Sequence, residues 1–401
     1  MKITFFNLNR LSFYGGAEKY IVEVGTILAK RGNQVFFVGD CRFILKFYII
    51  LGIVLGLNPP HKFFSLIKEL NRSPTINLRP KIFFKLVKLN ILSFLPLTQK
   101  RRDARKSLKN SDIVLAKNEI MELILLSLLG TGVKNKYLVV FSSLRYPDSV
   151  TLRAKVHNFV YNSRFYKVLV RRFGKVIVSN RQDEKIFKEK FGLESKRIFY
   201  VPYGLNEEYF AKKDEIICSS KFSILFVGRM EEQKGICFLK DIIDRINLGK
   251  PKLAENIVFN IAGNGPLEEV VRHLGERYKN VNYLGKLEQK ELRNLYLLSD
   301  LLIITSKWET FSYVCLEAQA CGLPVVAFDV PGPSDIIRGH TGKLITLGDV
   351  QSFIDAIFYY FRKKDTNFKD NLVNRFSIAS ESKKIYNIDK TASLLERIRA
   401  D

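Results

Sequence analysis

"LLIITSKWETFSYVCLEAQACGLPVVAFD", residues 301–329, contains a strand, a helix and a second strand in that order. The apolar runs at its two ends, LLIITS and PVVAFD, have the length and composition of buried parallel strands. Between them, SYVCLEAQAC has the length of a short helix, which Gly322 and Pro324 bring to an end. Two strands joined through a helix form a βαβ unit, which predicts a parallel sheet.

Strands and helices alternate in the same way from two separate starting points. The chain opens with the strand KITFFNL, a Gly-rich turn, a helix over residues 19–30 and the strand QVFFVG. The pattern starts again at residue 222 with FSILFVG, the loop RMEEQKG, the helix ICFLKDIIDRI and the strand NIVFNIAG. Such alternation is typical of doubly wound α/β folds, so the two starts predict two domains of this kind.

Changes in composition indicate the boundaries of these domains. Residues 203–221 are polar and turn-rich, and they are predicted to form a linker. The first Rossmann-like domain is then expected to span 1–202 and the second 222–375, with the cleft between them as the default ligand site. Residues 376–401 follow as an amphipathic helical segment.

The net charge of +25 is concentrated in the first half of the chain. Residues 1–200 hold 37 Lys and Arg against 13 Asp and Glu, whereas residues 201–401 hold 28 against 27. This asymmetry predicts an anionic partner for the first half: a membrane surface, a nucleic acid or a phosphorylated substrate. No helix-turn-helix, zinc or RNA-binding signature accompanies the charge, which argues against a nucleic acid.

Three apolar segments of the basic half are candidates for membrane contact. Residues 43–57 are the most apolar, but they are short for a span and contain Lys46. Residues 61–70 and 81–95 interleave Lys with Phe and Leu at helical spacing, as interfacial helices do. A surface helix of a globular domain has the same pattern, so region 43–109 is predicted either to face a membrane or to form ordinary buried and surface helices.

Neither a secretory leader nor a metal site is evident. Asn7, Asn9 and Arg10 interrupt the apolar run at the start of the chain, unlike in a signal peptide. The five cysteines include no CxxC pair, and the four histidines lack metal-ligand spacing. A reduced, cytoplasmic protein is therefore expected, peripheral on the cytosolic face of the membrane if the basic half binds lipid.

Two glutamates, Glu309 and Glu317, lie beside the predicted strand-to-helix loop. The loop after a parallel strand faces the crevice where α/β sheets bind ligands. The helix N-terminus, capped by Thr310 or Ser312, offers N–H groups and positive partial charge to a diphosphate. Carboxylates beside it can accept hydrogen bonds from sugar hydroxyls. The alternative is that both glutamates are solvated or capping residues, as most glutamates are.

A second loop supplies cations for a diphosphate. FVGRMEEQKG places Arg229 and Lys234 after the first strand of the second domain, at the same edge of the sheet. Arg offers a bidentate fork and Lys a point charge, although a solvated pair is the common role of such residues. The turn GNGP, with Gly263 and Asn264, follows the next strand.

Together these motifs resemble those of the GT-B-fold retaining glycosyltransferases of family 4. The resemblance rests on FVGRMEEQKG, GNGP, ETFSYVCLEAQACGLPVVAFD and GHTGKLI, in this order over residues 222–345. GGAE at 15–18 resembles the family's N-terminal Gly-Gly loop. The resemblance implies two Rossmann-like domains facing across a cleft, a C-terminal helix crossing back to the first domain, and sugar transfer from a nucleotide-sugar, with UDP favoured.

The resemblance also implies roles for single residues. Arg229 and Lys234 would bind the donor diphosphate, Glu317 the ribose hydroxyls and Glu309 the transferred sugar. Arg229, Lys234 and Glu309 are accordingly the candidate catalytic residues. The expected donor-binding residues are Gly15, Gly16, Arg229, Lys234, Gly263, Asn264, Glu309, Phe311, Ser312 and Glu317.

The chain departs from the family pattern in three places, one of which is Tyr203-Gly204, where the usual pattern near the linker is Asn-Gly. Thr310-Phe311-Ser312 replaces the frequent Gly-Phe-Gly, so side chains are expected to narrow the sugar site. YLVVFSSLRYPD lacks the histidine that many members carry, so no acceptor-side base is evident. The resemblance implies that transfer needs no strong base, because the leaving phosphate can take the acceptor proton. No D-x-D motif is present, so no metal cofactor is expected and Arg229 with Lys234 would replace the cation.

Three functions stay open at the level of the sequence. The favoured one is a glycosyltransferase acting on a glycan or lipid-linked acceptor in cell-surface polysaccharide or glycolipid biosynthesis. The others are an inactive sugar-binding or scaffold relative and a sugar-nucleotide epimerase on the same fold. Both glutamates and the basic pair are present, which favours an active enzyme.

Overall fold

The strands form two six-stranded parallel sheets with helices packed around them. The computed structural model describes residues 1–7, 16–38, 106, 108–129, 135–141, 152–216, 220–366 and 368–398. The prediction of an α/β protein built from two parallel, doubly wound sheets is confirmed.

The first sheet has the strand order β2-β1-β3-β4-β5-β6 and the second the order β12-β11-β10-β7-β8-β9. The strands are β1 (Lys2–Phe6), β2 (Gln34–Val38), β3 (Ile113–Lys117), β4 (Lys136–Val139), β5 (Lys175–Val178), β6 (Ile198–Tyr200), β7 (Phe222–Val227), β8 (Ile257–Ala262), β9 (Val281–Gly285), β10 (Leu301–Ile304), β11 (Val325–Phe328) and β12 (Gly342–Ile345).

Fourteen α-helices are described, five of them in the first half of the chain. They are α1 (Gly16–Lys30), α2 (Ile120–Leu129), α3 (Leu152–Asn162), α4 (Arg164–Phe173), α5 (Arg181–Glu189), α6 (Ile236–Gly249), α7 (Pro251–Ala254), α8 (Glu268–Arg277), α9 (Gln289–Leu298), α10 (Tyr313–Ala320), α11 (Pro333–Ile336), α12 (Val350–Thr366), α13 (Phe368–Tyr386) and α14 (Ile388–Arg397).

Contacts divide the chain into two compact units. One comprises Met1–Val139 with Arg172–Gly174, and the other comprises Val140–Arg171 with Lys175–Asp401. In the first unit, α1 buries Tyr20, Val24 and Leu28 at helical spacing. The domain boundaries expected from the sequence stay predictions.

The second sheet brings two loops together at its middle. From β7 the sheet grows through β8 to β9 on one side, and from β10 through β11 to β12 on the other. β7 and β10 are parallel neighbours, with Leu301 paired with Ile224. The loops after these strands, 228–235 and 305–312, therefore leave the same edge at the point where the strand order reverses. Ligands bind at such a point in open α/β sheets.

The second sheet packs in a buried apolar core. β10 is fully buried along its length, which explains its continuous apolar sequence LLII. α6 packs against the sheet through residues at helical spacing: Ile236, Leu239, Ile242, Ile243 and Ile246. The two loops therefore follow strands that are part of the buried core.

The segment expected to be a polar linker contributes to the core. Tyr203, Leu205, Tyr209 and Phe210 are all buried, because the apolar residues of this segment pack while its charged residues face solvent. The linker expected over 203–221 stays a prediction.

The C-terminal segment is two helices rather than one. α13 ends at Tyr386 and α14 begins at Ile388, because the backbone between them pairs with Leu205. Asn387 adopts an extended conformation there, and its side chain caps α14 by accepting from the N–H of Asp389. The position of this segment relative to the first domain stays a prediction.

Most of region 43–109, where membrane contact was predicted, lies outside the described residues; only 106, 108 and 109 are described. Across the ranges that are described, no helix is both long and apolar enough to cross a membrane.

Candidate active site

Lys234 and Glu309 meet where the two central loops of the second sheet come together. The Lys234 ammonium lies 2.5 Å from Oε1 of Glu309, and both side chains are largely buried, at 16% and 10% exposure. Ser306 Oγ donates to the same carboxylate oxygen at 2.9 Å. The two residues are 75 positions apart in the chain. The structure thus joins two predicted catalytic residues in one charged pair.

Hydrogen bonds hold the two loops in register around this pair. Thr305 Oγ1 donates to the Lys234 carbonyl at 2.8 Å, and the N–H of Lys307 donates to the Gln233 carbonyl at 2.8 Å. The Gln233 side chain donates to the Trp308 carbonyl at 3.1 Å. Three bonds between the loops leave the ammonium and carboxylate little freedom, as a preorganised site requires. Gln233 and Ser306 are site residues that the sequence did not single out.

Gly235 allows the loops to approach so closely. Its φ is +67°, and a Cβ there would overlap the carbonyl oxygen of Thr305. A left-handed conformation with a backbone atom at contact distance accepts glycine alone. Gly235 therefore allows the two loops to approach each other closely, and this approach brings the ammonium of Lys234 to the carboxylate of Glu309.

Arg229 extends from the same loop into solvent. Its side chain is 69% exposed, and its guanidinium contacts Glu231 Oε1 at 2.7 Å. An exposed ion pair contributes at most about 1 kcal/mol, so the guanidinium can exchange Glu231 for another anion at little cost. The structure places Arg229 at the predicted sheet edge but in a separate ion pair from Lys234.

The Gly-Asn-Gly-Pro turn packs against the backbone of the loop that carries Arg229. Gly263 has φ +129°, and a Cβ there would overlap the carbonyl oxygen of Gly228. The backbone carbonyl of Asn264 accepts from the N–H of Met230 at 2.9 Å, while the Asn264 side chain is exposed. The two predicted residues of this turn thus fix the backbone on both sides of Arg229.

The next loop, over 310–312, differs from the capped helix start that was expected. Ser312 occupies the N-cap position of α10, but its hydroxyl makes no cap hydrogen bond. Its backbone is left-handed, with φ 73° and ψ 80°, a conformation in which the hydroxyl does not reach the first-turn N–H groups. The expectation that Thr310 or Ser312 caps this helix is therefore wrong.

Because Ser312 does not cap the helix, its own hydroxyl lacks a protein partner beside the site. The Ser312 hydroxyl is buried and has no hydrogen-bond partner. No other non-glycine residue in the described ranges has positive φ. Strain and an unpartnered polar atom at one position are characteristic of ligand sites.

Phe311 anchors the loop from its other side. It is 2% exposed, and its ring packs on those of Tyr203, Tyr313 and Tyr386, with the closest centroid separation, 4.5 Å, to Tyr203. Phe311 therefore acts through packing, and a direct ligand contact can come only from its backbone.

Glu317 lies on α10 and has its own partner. The Tyr296 hydroxyl, fully buried on α9, donates to Glu317 Oε2 at 3.1 Å. Burial and the adjacent carboxylate raise the pKa of Tyr296 well above its usual range, so it remains a donor. One carboxylate oxygen is thus held by Tyr296, and Glu317 is only 8% exposed. A buried carboxylate is an acceptor that can bind hydroxyl groups of a ligand.

A pair of residues that the sequence did not reveal reaches the same loop. The side-chain amide of Asn180, the N-cap of α5, donates to the Thr310 carbonyl at 2.9 Å and to Asp183 Oδ2 at 2.6 Å. Asp183 is 4% exposed. Burial raises its pKa from 3.8 to about 7, opposed by the Asn180 hydrogen bond and reinforced by the charge of Asp335.

The raised pKa of Asp183 predicts how stability depends on pH. Between pH 3.8 and about 7 the folded protein keeps a proton that the unfolded chain has released, so stability falls as pH rises through this window. Asp183→Asn removes this loss. We expect the variant to exceed the wild type by about 2–4 kcal/mol near pH 8 and to match it near pH 3, where the folded and the unfolded chain both keep the proton, at about 1.4 kcal/mol per pKa unit. Urea unfolding at both pH values measures this, and an equal difference at both would contradict it.

Two of the residues expected to bind the donor, Gly15 and Gly16, lie near the start of the chain. Gly16 is the first residue of α1, and Gly15 lies outside the described residues. Within the described part of the chain, no group of three or more His, Cys, Asp or Glu side chains could hold a metal ion.

Two relatives of known sequence resemble parts of the chain. A Klebsiella pneumoniae protein described as an uncharacterized 41.2 kDa protein in the cps region is 30% identical over 174 residues, 41% of this chain and 46% of its own length. The Escherichia coli UDP-Gal:alpha-D-GlcNAc-diphosphoundecaprenol alpha-1,3-galactosyltransferase is 26% identical over 53% of this chain and 58% of its own length. The chain thus spans about half the length of these relatives.

The fold and the domain that carries the site have known counterparts. The structure of Anabaena Alr3699/HepE in complex with UDP and glucose superposes with a TM-score of 0.66 at 16% identity, covering 100% of this chain and 99% of that one. This likeness identifies the fold as GT-B. Residues 221–362, which hold Arg229, Lys234, Glu309 and Glu317, match the family described as Glycosyl transferases group 1.

Proposed function

We propose that the chain is a retaining glycosyltransferase of family 4 that takes a sugar from a nucleotide-sugar, with UDP-sugars favoured. The main support is the Lys234–Glu309 pair, which lies where the strand order reverses, inside a domain of the glycosyl transferases group 1 pattern. A buried ammonium beside a buried carboxylate can bind a phosphate oxygen and a sugar hydroxyl at adjacent positions. The relatives named above include one enzyme that uses UDP-galactose and one structure that holds UDP.

Lys234 and Arg229 neutralise the donor diphosphate in this proposal. As the bond between the anomeric carbon and the phosphate oxygen breaks, negative charge grows on the leaving nucleoside diphosphate. The Lys234 ammonium is fixed before this charge appears, so it stabilises the transition state without reorganising. Arg229, which is exposed and weakly paired, turns from Glu231 to the phosphates.

Glu309 and Glu317 recognise hydroxyl groups. Glu309 accepts from the transferred sugar through the oxygen not shared with Lys234 and Ser306, both of which contact Oε1. Glu317 accepts from the ribose, with Tyr296 holding its other oxygen. The unpartnered Ser312 hydroxyl, where the family pattern has glycine, faces the same ligand and narrows the sugar site.

The reaction needs neither a metal nor a protein base in this scheme. The acceptor oxygen bonds to the anomeric carbon on the face from which the diphosphate leaves, and the acceptor proton passes to the leaving phosphate oxygen. The cationic side chains take the role that a divalent ion has elsewhere, consistent with the lack of a D-x-D motif in the sequence.

The acceptor is a glycan or a lipid-linked glycan on the cytosolic face of a membrane, in cell-surface polysaccharide or glycolipid biosynthesis. The excess of basic residues over 1–200 supports an anionic membrane partner. The Escherichia coli relative acts on a diphosphoundecaprenol-linked sugar, which supports an acceptor of that class.

Glu317→Gln is expected to lower the transfer rate at least about 100-fold while changing stability little. Glutamine keeps an oxygen that can accept from Tyr296, so the buried contact survives, but it loses the charge that binds the ribose hydroxyls. Transfer rates and melting temperatures of the two proteins test this. A variant that unfolds, but whose folded fraction is fully active, would show that Glu317 is structural.

The product is expected to keep the α-configuration of the donor sugar. The cations hold the leaving diphosphate on one face, and attack occurs on that same face. Incubation with UDP- and GDP-sugars and candidate acceptors, followed by NMR coupling constants of the product, tests this. A β-linked product would contradict retention. An epimerised donor without transfer would support an epimerase, and no turnover of any donor would support a scaffold protein.

A further inference from the structure

α3 and α4 follow each other with Ser163 alone between them, and this segment, residues 152–173, is called the hairpin here. It exposes apolar side chains that the second unit does not cover. Phe159 is 79% exposed, the highest value among the large apolar side chains of the described residues. Phe165 and Val168 on α4 are 55% and 50% exposed, and their spacing of three places them side by side on one helix face. Exposed aromatic residues at this level indicate a contact surface.

These side chains are not displaced core residues. The opposite face of α4 is complete, because Tyr166, Leu169 and Val170 are buried at helical spacing. Tyr161 of α3 packs on Tyr166 of α4 with ring centroids 4.6 Å apart, and both side chains are buried. The hairpin therefore has one face for the protein interior and a second apolar face without a partner in this unit.

The charge of the hairpin restricts what can cover it. Residues 152–171 contain no Asp or Glu, and their basic residues are Arg153, Lys155, Arg164, Lys167 and Arg171. Arg164 and Arg171 are exposed next to Phe165 and Val168. An apolar stripe beside a row of basic residues is the pattern of a helix that lies in an anionic lipid interface. A protein partner of mixed charge would leave some of these basic side chains without an opposite charge.

We propose that residues 157–171 form a docking surface for an anionic lipid bilayer. Phe159, Phe165 and Val168 enter the headgroup region, and Arg164, Lys167 and Arg171 contact lipid phosphates. This inference rests on the proposed function, because binding to the bilayer would bring the chain to a membrane-linked acceptor. The binding itself can be measured without any sugar transfer.

Sedimentation of the full chain with vesicles tests the proposal. Phosphatidylcholine vesicles with and without phosphatidylserine are compared for the wild type, Arg164→Glu/Lys167→Glu and Phe165→Ser/Val168→Ser. Lys185→Glu/Lys196→Glu is the matched charge control, because both lysines are more than 70% exposed and lie outside the hairpin. Leu248→Ser, at a 63% exposed leucine of α6, is the apolar control.

The wild type and both controls are expected to bind the anionic vesicles, and each hairpin variant to bind at least tenfold more weakly. High salt should release the wild type, because it shortens the distance over which charges attract from about 10 Å at 0.1 M to about 3 Å at 1 M. Hairpin variants that bind like the controls would overturn the proposal, as would a wild type that ignores anionic lipid or prefers a DNA duplex. Binding of UDP, measured on every variant, reports on the transferase proposal separately and confirms that each variant is folded.

Discussion

Lys234→Ala is expected to lower the rate of sugar transfer by about 100- to 1,000-fold. In the proposed reaction the substitution removes a fixed charge from beside the leaving diphosphate, an effect of about 2.7–4 kcal/mol when a single preorganised donor is lost. It also leaves Glu309 without its cation, 2.5 Å away in the wild type, so that the carboxylate repels the incoming phosphate. Initial rates at several donor concentrations should show loss in both kcat and donor affinity.

Lys364→Ala is the matched control for this variant. Lys364 also forms a shielded ion pair, 2.7 Å from Asp300, with side chains 13% and 5% exposed. Asp300 directly precedes β10, so this pair lies at the opposite edge of the sheet from the site. The control should lose stability and keep its rate per folded molecule. Equal loss of rate in both variants would mean that Lys234 serves stability alone.

Gly235→Ala is expected to destabilise the protein by about 3–5 kcal/mol, the sum of backbone strain at positive φ and the shift needed to relieve a clash. The added Cβ would overlap the Thr305 carbonyl oxygen, in the loop that follows β10. Because both loops are fixed to the core of the second unit, neither can withdraw without disturbing it. Urea unfolding measures the change in the free energy of unfolding.

Gly249→Ala, at the other end of the same helix, is the control. A Cβ there meets no atom within 4 Å, so alanine should be neutral or stabilising by up to about 1 kcal/mol. If Gly235→Ala proves as stable as Gly249→Ala, the two loops are not held in the close contact described.

The strands and helices of the second sheet were predictable because their signals are local. Four-residue apolar runs such as 301–304 and 325–328, with Gly and Pro between elements, identify buried parallel strands without knowledge of their neighbours. Because strands and helices alternate, the loop after each strand lies at the edge of the sheet where ligands bind. The motif residues Arg229, Lys234, Glu309 and Glu317 follow from that placement.

Other features depend on contacts between distant parts of the chain, which local patterns do not encode. The hydrogen bond from Asn180 to Thr310 spans 130 residues. The break at Asn387 exists because Leu205 pairs with the backbone there. Ser312 has a capping side chain by type, but the site loop holds its backbone in the left-handed region.

The most direct test of the proposed site is calorimetric titration of the full chain with UDP and with uridine. If Lys234 and Arg229 hold a diphosphate, UDP should bind at one site and uridine at least about tenfold more weakly, a difference of about 1.4 kcal/mol or more. Lys234→Ala should abolish most of this difference, and Lys364→Ala should preserve it. If the wild type binds neither UDP nor GDP, or if Lys234→Ala binds UDP as tightly as the wild type, the assignment of the site is contradicted.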